Sequence, residues 1–220
     1  MSTDARRRAI LESAARLFRH YGHSKTTVAD IARDAQMGVG TFYLVFPSKE
    51  AIVEELSSSA HVRVLRAMRD VAEARAYDTF AERLAGVLET RVAKFLELAK
   101  EGQHACELVH CQSGPVKSVH ARFREEEAAL LRDLFADAVK TAEIAALDVT
   151  RAIALVQRAY VTLSPPWLYE QTPDEARRAA YEMCRLLLLG LLARGAREQD
   201  DEAPSKKRAA TAGRTPRRTR

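Results

Sequence analysis

Four residues with metal-binding side chains lie close together in mid-chain: His104, Cys106, His110 and Cys111. On a helix, Cys106 and His110 share one face at i, i+4, while His104 and Cys111 share another at i, i+7. Ligands so divided do not converge on the tetrahedral point that zinc requires, and the spacing predicts no metal site. Enzymatic signatures are also missing. There is no G-x-S-x-G, no H-E-x-x-H and no P-loop, and Gly38-Val39-Gly40 lacks the rest of a dinucleotide fingerprint. No catalytic residue, no cofactor and no enzymatic activity is expected. Glu125-Glu126-Glu127 reads as a solvated helix face.

The remaining chemistry suits a polyanion. The 220 residues carry 35 Lys and Arg against 30 Asp and Glu, a net charge of +5 that is unevenly spread. Residues 1–50 hold eight basic and five acidic side chains, and the seven basic residues after Glu202 have no acidic neighbour. The stretch between sums to −5. A basic head and a basic tail around an acidic body point to nucleic acid. Arg6, Arg7 and Arg8 are expected just before the first helix. There they touch the phosphate backbone or the adjacent minor groove, or else form a solvated end. Thr27 and Lys49 fall at expected helix starts, where a hydroxyl, an ammonium and free backbone N–H groups suit phosphate.

Ala, Leu, Arg and Glu dominate the composition, and the periodicity is helical throughout. Ile10, Ala14, Leu17, Phe18 and Tyr21 form a first stripe, with Gly22 placed as a left-handed cap. Thr27 and Asp30 make a capping box for a short second helix ending near Ala35–Gln36. A third short segment runs from Gly38 to Leu44, and Ser48 then caps a long helix reaching about Arg75. Two short helices joined by a tight turn after a longer one give the helix-turn-helix layout. Ala29, Ile31, Phe42 and Phe46 are expected in its core.

At Thr26-Thr27-Val28-Ala29-Asp30-Ile31-Ala32, Gly40-Thr41-Phe42-Tyr43 and Phe46-Pro47-Ser48-Lys49-Glu50, the chain resembles the N-terminal domain of the TetR family of bacterial transcriptional regulators. The resemblance covers about residues 6–56. It implies an all-α protein: a three-helix helix-turn-helix DNA-binding domain (1–50), a helical ligand-binding and dimerisation domain (51–198), and here a basic tail (199–220). It implies a homodimeric repressor that binds double-stranded DNA at an inverted-repeat operator and is released by an effector. The implied reading surface is Val39, Thr41, Tyr43 and Leu44. Thr41 and Tyr43 can hydrogen-bond, whereas Val39 and Leu44 offer only apolar contact, such as to a thymine methyl. A ligand-independent or activating regulator, and a non-specific DNA-compacting protein, are the competing readings.

Further helices are expected from Thr79–Glu82, around His104–Gln112, from Val116 to about Ala142, from Asp148, and from Thr172-Pro173-Asp174-Glu175 to about Arg194. The run from Met183 to Leu192 is apolar almost all round and must be covered on several sides. With the preceding helix it is expected to form a dimer interface through Ile153, Val156, Leu187, Leu188 and Leu191. Trp167, just after Pro165-Pro166, is expected to line an effector pocket with Phe95, His120, Phe123 and Tyr160, suited to an apolar or amphipathic small molecule. No apolar run is long enough for a membrane span, and no signal peptide is legible. Three cysteines fit a reducing compartment, so a cytoplasmic, nucleoid-associated protein is expected.

Residues 203–220 contain two prolines and no apolar side chain larger than alanine. Such a stretch cannot bury enough surface to offset its ordering entropy and is expected to be disordered. As an electrostatic arm it would add about 0.9 to the log–log salt slope for each duplex phosphate neutralised. Truncation after Glu202 is predicted to leave folding and sequence preference intact and to lower the slope on random duplex by several units. Equal slopes for truncated and full-length protein would make the tail a solvating extension only.

Overall fold

The computed structural model describes residues 2–74, 76–102, 104–105, 107–110, 114–144 and 148–201, without the side chains of 110, 115 and 191–201. Among the described residues the protein is entirely helical. The helices are α1 (Thr3–Tyr21), α2 (Val28–Asp34), α3 (Val39–Tyr43), α4 (Lys49–Ala72), α5 (Phe80–Ala99), α6 (Glu107–His110), α7 (Gly114–Lys140), α8 (Val149–Ala159) and α9 (Pro173–Asp201). A 3-10 turn, Trp167–Glu170, follows the cis Pro165–Pro166 bond. The basic tail beyond residue 201, together with Cys106 and Cys111, lies outside the described residues.

The helix starts follow from local chemistry. Thr27 and Asp30 cap α2 reciprocally, as Thr79 and Glu82 cap α5. Thr172 and Glu175 exchange the same pair of bonds at α9, at 2.9 and 3.3 Å. Ser48 and Asp148 cap α4 and α8 through side-chain oxygens. Each such cap contributes about 1 kcal/mol. One expectation at the N-terminus is corrected. Ser2 accepts from the Ala5 N–H, so α1 begins at Thr3 and Arg6, Arg7 and Arg8 stand inside its first two turns, not before it. Gly22 does carry a positive φ, 84°, but its ψ of 151° lies outside the left-handed helical region expected of the cap.

Two apolar cores result, and α4 serves both. Ile10, Ala14, Phe18, Ile31, Phe42 and Phe46 form the N-terminal core, closed by Ile52 and Val53 of α4 and by Leu108 and Val116 from beyond it. Ala60, Val64, Leu65 and Met68 of the same helix enter the larger core of α5 and α7–α9. Fully burying a side chain such as Phe18 or Met68 contributes about 1.5–3 kcal/mol. Ala29, expected inside, is exposed on α2, because the turn presents Val28, Ile31 and Ala32 inward.

The larger core has a polar centre. Arg91 donates from Nε to Glu127 at 2.5 Å, from Nη1 to the Leu163 carbonyl at 3.0 Å and from Nη2 to Ser164 Oγ at 2.8 Å. Gln157 donates to the other Glu127 oxygen at 3.0 Å. Glu127 is therefore not the solvated residue expected of its triplet. It is 3% exposed, while Glu125 and Glu126 do face solvent. The stripe Phe123-Glu127-Leu130-Leu134 carries it inward, as Leu84-Leu88-Arg91-Phe95 carries its partner. His61, buried beside Phe95 and Phe123, donates through Nδ1 to the Ser57 carbonyl at 2.8 Å. Burial pulls its pKa down to about 4.

Arg91→Met should cost about 3–5 kcal/mol in urea unfolding, because it strands the Glu127 carboxylate in the core. Arg91→Met with Glu127→Leu should recover most of that loss. A double variant as unstable as the single one would contradict the pairing argument. His61 must enter the fold neutral, so it binds fewer protons folded than unfolded. The stability this preserves above pH 6.5 is lost as pH falls from 6.5 towards 4, at about 1.36 kcal/mol per unit and up to about 3 kcal/mol in all. Unfolding midpoints of His61→Phe should fall less steeply over that interval than those of the parent, and parallel profiles would refute the assignment.

Candidate DNA-binding surface and effector region

The short helix α3 is held from behind. Phe42 is fully buried and packs edge-on to Tyr43, with ring centroids 5.4 Å apart, and against Phe46. That anchoring turns the opposite face to solvent: Val39 is 42%, Tyr43 54% and Leu44 80% exposed. Thr41 is half-buried. A Cβ added at Gly38 or Gly40 would meet nothing within 4 Å, so this face is open along its whole length. A lone exposed leucine is ordinary, but three large apolar or aromatic side chains on one five-residue helix and its C-cap form a contact surface.

The residues expected at phosphates are differently placed. Thr27 accepts from the Asp30 N–H and donates its hydroxyl proton to Asp30 Oδ2 at 2.6 Å, and its own N–H goes to the same oxygen at 3.0 Å. These bonds hold the Asp30 carboxyl below the usual carboxylate range, and they leave Thr27 no free donor. Lys49 donates to the carbonyls of His23 at 2.7 Å and Thr26 at 2.9 Å. It pins the α1–α2 corner to α4, with one of its three protons left over. Arg7 is bound to Glu55 and lies over the Phe46 ring, 4.4 Å from its centroid. Arg8, by contrast, is exposed on the next helical position, and so is Lys25 in the α1–α2 corner, which sequence reasoning did not single out.

In the C-terminal half, three of the five residues expected in a pocket come together. Phe95 and Phe123 stand 5.5 Å apart, and His61 stacks between them and His120, 5.1 Å from both His120 and Phe123. His120 donates through Nε2 to the Val109 carbonyl. Arg91 lies 5.3 Å from the Phe95 ring and 5.8 Å from that of Phe123. His61 and Arg91 were missed in the sequence; their signal was a polar residue on an otherwise apolar helical stripe. Trp167 does not join the cluster. It is 48% exposed, because the 3-10 turn directs Leu168 inward and lets Tyr169 donate to the Phe95 carbonyl at 3.2 Å. Tyr160 is buried and spends its hydroxyl on the Ala180 carbonyl at 2.7 Å, fastening α8 to α9. Burial raises its phenol pKa far above the ordinary value.

The expected dimer contacts also need correction. Ile153 and Val156 are only 3% and 2% exposed within a single protomer, because they form the inner stripe of α8. Leu187 and Leu188 pack half-buried on the same core, and the Leu191 side chain lies outside the described residues. Among the described residues of α8 and α9, the large apolar side chains left exposed are Leu155, Tyr181, Leu186 and Leu189. Among the described residues no group of His, Cys, Asp or Glu could hold a metal ion, and no helix is long and apolar enough to cross a membrane.

Residues 10–56 match the bacterial regulatory proteins of the tetR family. Over 44 residues, 20% of this chain and 15% of its relative's length, the sequence is 43% identical to the HTH-type transcriptional regulator YuxN of Bacillus subtilis. The structure resembles a transcriptional regulator of the TetR/AcrR family from Thermobifida fusca at 25% identity and a TM-score of 0.64, covering 84% of this chain and 97% of that one. It shares its fold with the transcriptional regulator FadR of Bacillus subtilis, solved in complex with stearoyl-CoA, at 20% identity and a TM-score of 0.63, covering 83% and 98%. The chain thus carries a tetR-type helix-turn-helix over residues 10–56 and shares the fold of TetR/AcrR-family regulators along most of its length.

Proposed function

We propose that the protein is a homodimeric repressor that binds an inverted-repeat operator through α3 and leaves it when an apolar or amphipathic small molecule occupies the C-terminal half. The observation that carries this reading is the exposed face of α3, where Val39, Tyr43 and Leu44 stand largely in solvent. One such helix fits a major groove, and a two-fold pair spans grooves about 34–36 Å apart. Leu155, Leu186 and Leu189 supply the apolar surface for the pair. The effector region is the ring cluster of His61, Phe95, His120 and Phe123 with the Arg91 guanidinium at its edge. Rings beside a buried cation suit a ligand with an apolar body and one polar end, the type that stearoyl-CoA represents in the FadR complex. Effector binding favours a protomer spacing that no longer matches successive grooves.

Sites selected from a random DNA pool should form an inverted repeat. Tyr43→Ala should weaken binding to them by about 1–3 kcal/mol with little loss of thermal stability, since the residue is 54% exposed and meets Phe42 only edge-on. Sedimentation showing a monomer at micromolar concentration that binds a half-site with full affinity would defeat this reading. Lys49→Ala should act differently. It removes two charge-assisted bonds to main-chain carbonyls, so stability should fall by about 1.5–3 kcal/mol while the salt slope of DNA binding stays unchanged. A slope smaller by about 0.9 at unchanged stability would instead make Lys49 a phosphate contact.

A further inference from the structure

Where α1 meets the regulatory half there is a cleft of about 190 Å³. Its floor is apolar, built from Leu56 and Ala60 of α4, Leu98 of α5, and Leu108 and Val109 of α6. Its mouth is charged. Arg19 reaches Glu101 at 2.7 Å and Arg63 reaches the other oxygen of the same carboxylate at 2.9 Å. Two guanidinium groups thus share one carboxylate, leaving a surplus positive charge. Arg19 Nε is in addition buried without any acceptor. A buried donor left unpaired is costly, and a small anion entering the cleft would meet both deficits at once. None of the ring-cluster residues lines this space.

We propose that this cleft is a second ligand site, for a small monocarboxylic acid whose aryl or short alkyl body fills the apolar floor while its carboxylate displaces Glu101 from Arg19 and Arg63. The volume sets the size: it admits one aromatic ring or a short chain, not a long acyl group. Its position gives the site consequence. Glu101 begins the segment that clasps α1, where a Cβ on Gly102 would stand 2.7 Å from Arg19 Cβ and the His104 N–H donates to the Arg19 carbonyl at 3.0 Å. Freeing Glu101 loosens that clasp, so occupancy of the cleft is linked to the seating of the DNA-binding domain.

The test is calorimetric titration of the full chain with benzoate and hexanoate, and with benzyl alcohol and hexanol as neutral counterparts. The acids should bind and the alcohols should not. Glu101→Gln removes the internal competitor and should tighten acid binding roughly tenfold, the effect of one charge-assisted hydrogen bond. Arg19→Gln should weaken it by a similar factor. Ser59 lines the mouth and is exposed, so Ser59→Phe should block the cleft without disturbing the fold, checked by circular dichroism. Equal binding of acids and alcohols, no binding of either, or no tightening in Glu101→Gln would overturn the assignment. So would acid binding that survives Ser59→Phe but is lost in Phe123→Trp, which would place the ligand at the ring cluster. The inverted-repeat and dimer reading is untouched by any of these results.

Discussion

The main-chain groups of the corner between α1 and α2 have no helix to bond to, and the arrangement of the molecule depends on what satisfies them. Thr26 donates its hydroxyl to the Gly22 carbonyl at 2.8 Å within the corner itself. The carbonyls of His23 and Thr26 go to Lys49, at the start of α4. The His23 N–H goes to the Glu107 carboxylate on α6 at 3.0 Å, and the Arg19 carbonyl is taken by the His104 N–H. Buried backbone polar groups left unpaired would each cost as much as a lost hydrogen bond. One loop therefore fixes three things at once: the seat of α2 and α3, the start of α4, and the position of the segment before α6. Burial pushes the Glu107 carboxyl up, but the His23 N–H and the His104 and His23 rings outweigh it and hold it below its ordinary value.

This arrangement makes the two halves mechanically inseparable. A boundary drawn at residue 50 cuts between Phe46 and Ile52, which share a core, and leaves out Leu108 and Val116, which complete it. The helix α4 has its first turn in one core and its middle in the other. Rotation of that helix cannot be absorbed by a flexible linker, because there is none between Pro47 and Ala72. Coupling in such a molecule needs no special pathway: a packed helix shared by two cores must move with both, or one core must loosen. Glu101 and Glu107, six residues apart in sequence, bind α1 and the corner that follows it.

The parts of the fold legible in the sequence were those governed by local chemistry. Thr27-Asp30 and Thr79-Glu82 announced their helices because a capping box is complete within four residues, and Ser48 and Asp148 did so nearly as well. The exposed face of α3 was legible through resemblance, with Phe42 as its internal anchor. What failed was long-range. Lys49 and Thr27 were read by their type and their place at a helix start. Their protons are claimed by partners that only the fold, or the cap itself, brings near. Ile153 and Val156 were read as outward because helix periodicity defines a stripe but not which neighbour covers it. Glu127 was grouped with two solvated neighbours, although one position along a helix turns a side chain by a third of a circle. Trp167 was read from its place just after the helix-breaking Pro165-Pro166, whereas its neighbours Leu168 and Tyr169 took the inward positions.

The chemistry of α3 constrains how a helix-turn-helix with this sequence can discriminate among DNA sites. The helix carries no Arg or Lys, so the bidentate contact to guanine that supplies most direct readout cannot come from it. Gly38 and Gly40 leave the backbone bare on the open side, and nothing in the protomer approaches them. In the complex proposed above, a groove wall comes close to main chain there, and Val39 and Leu44 meet apolar base edges. Under the proposed function, discrimination rests on thymine methyls and on how readily a sequence adopts the groove width that this narrow helix needs. The cations that hold the duplex are then those left free around it, such as Arg8 and Lys25, which attract phosphate regardless of sequence. Affinity and selectivity fall to different residues, and salt weakens the first far more than the second.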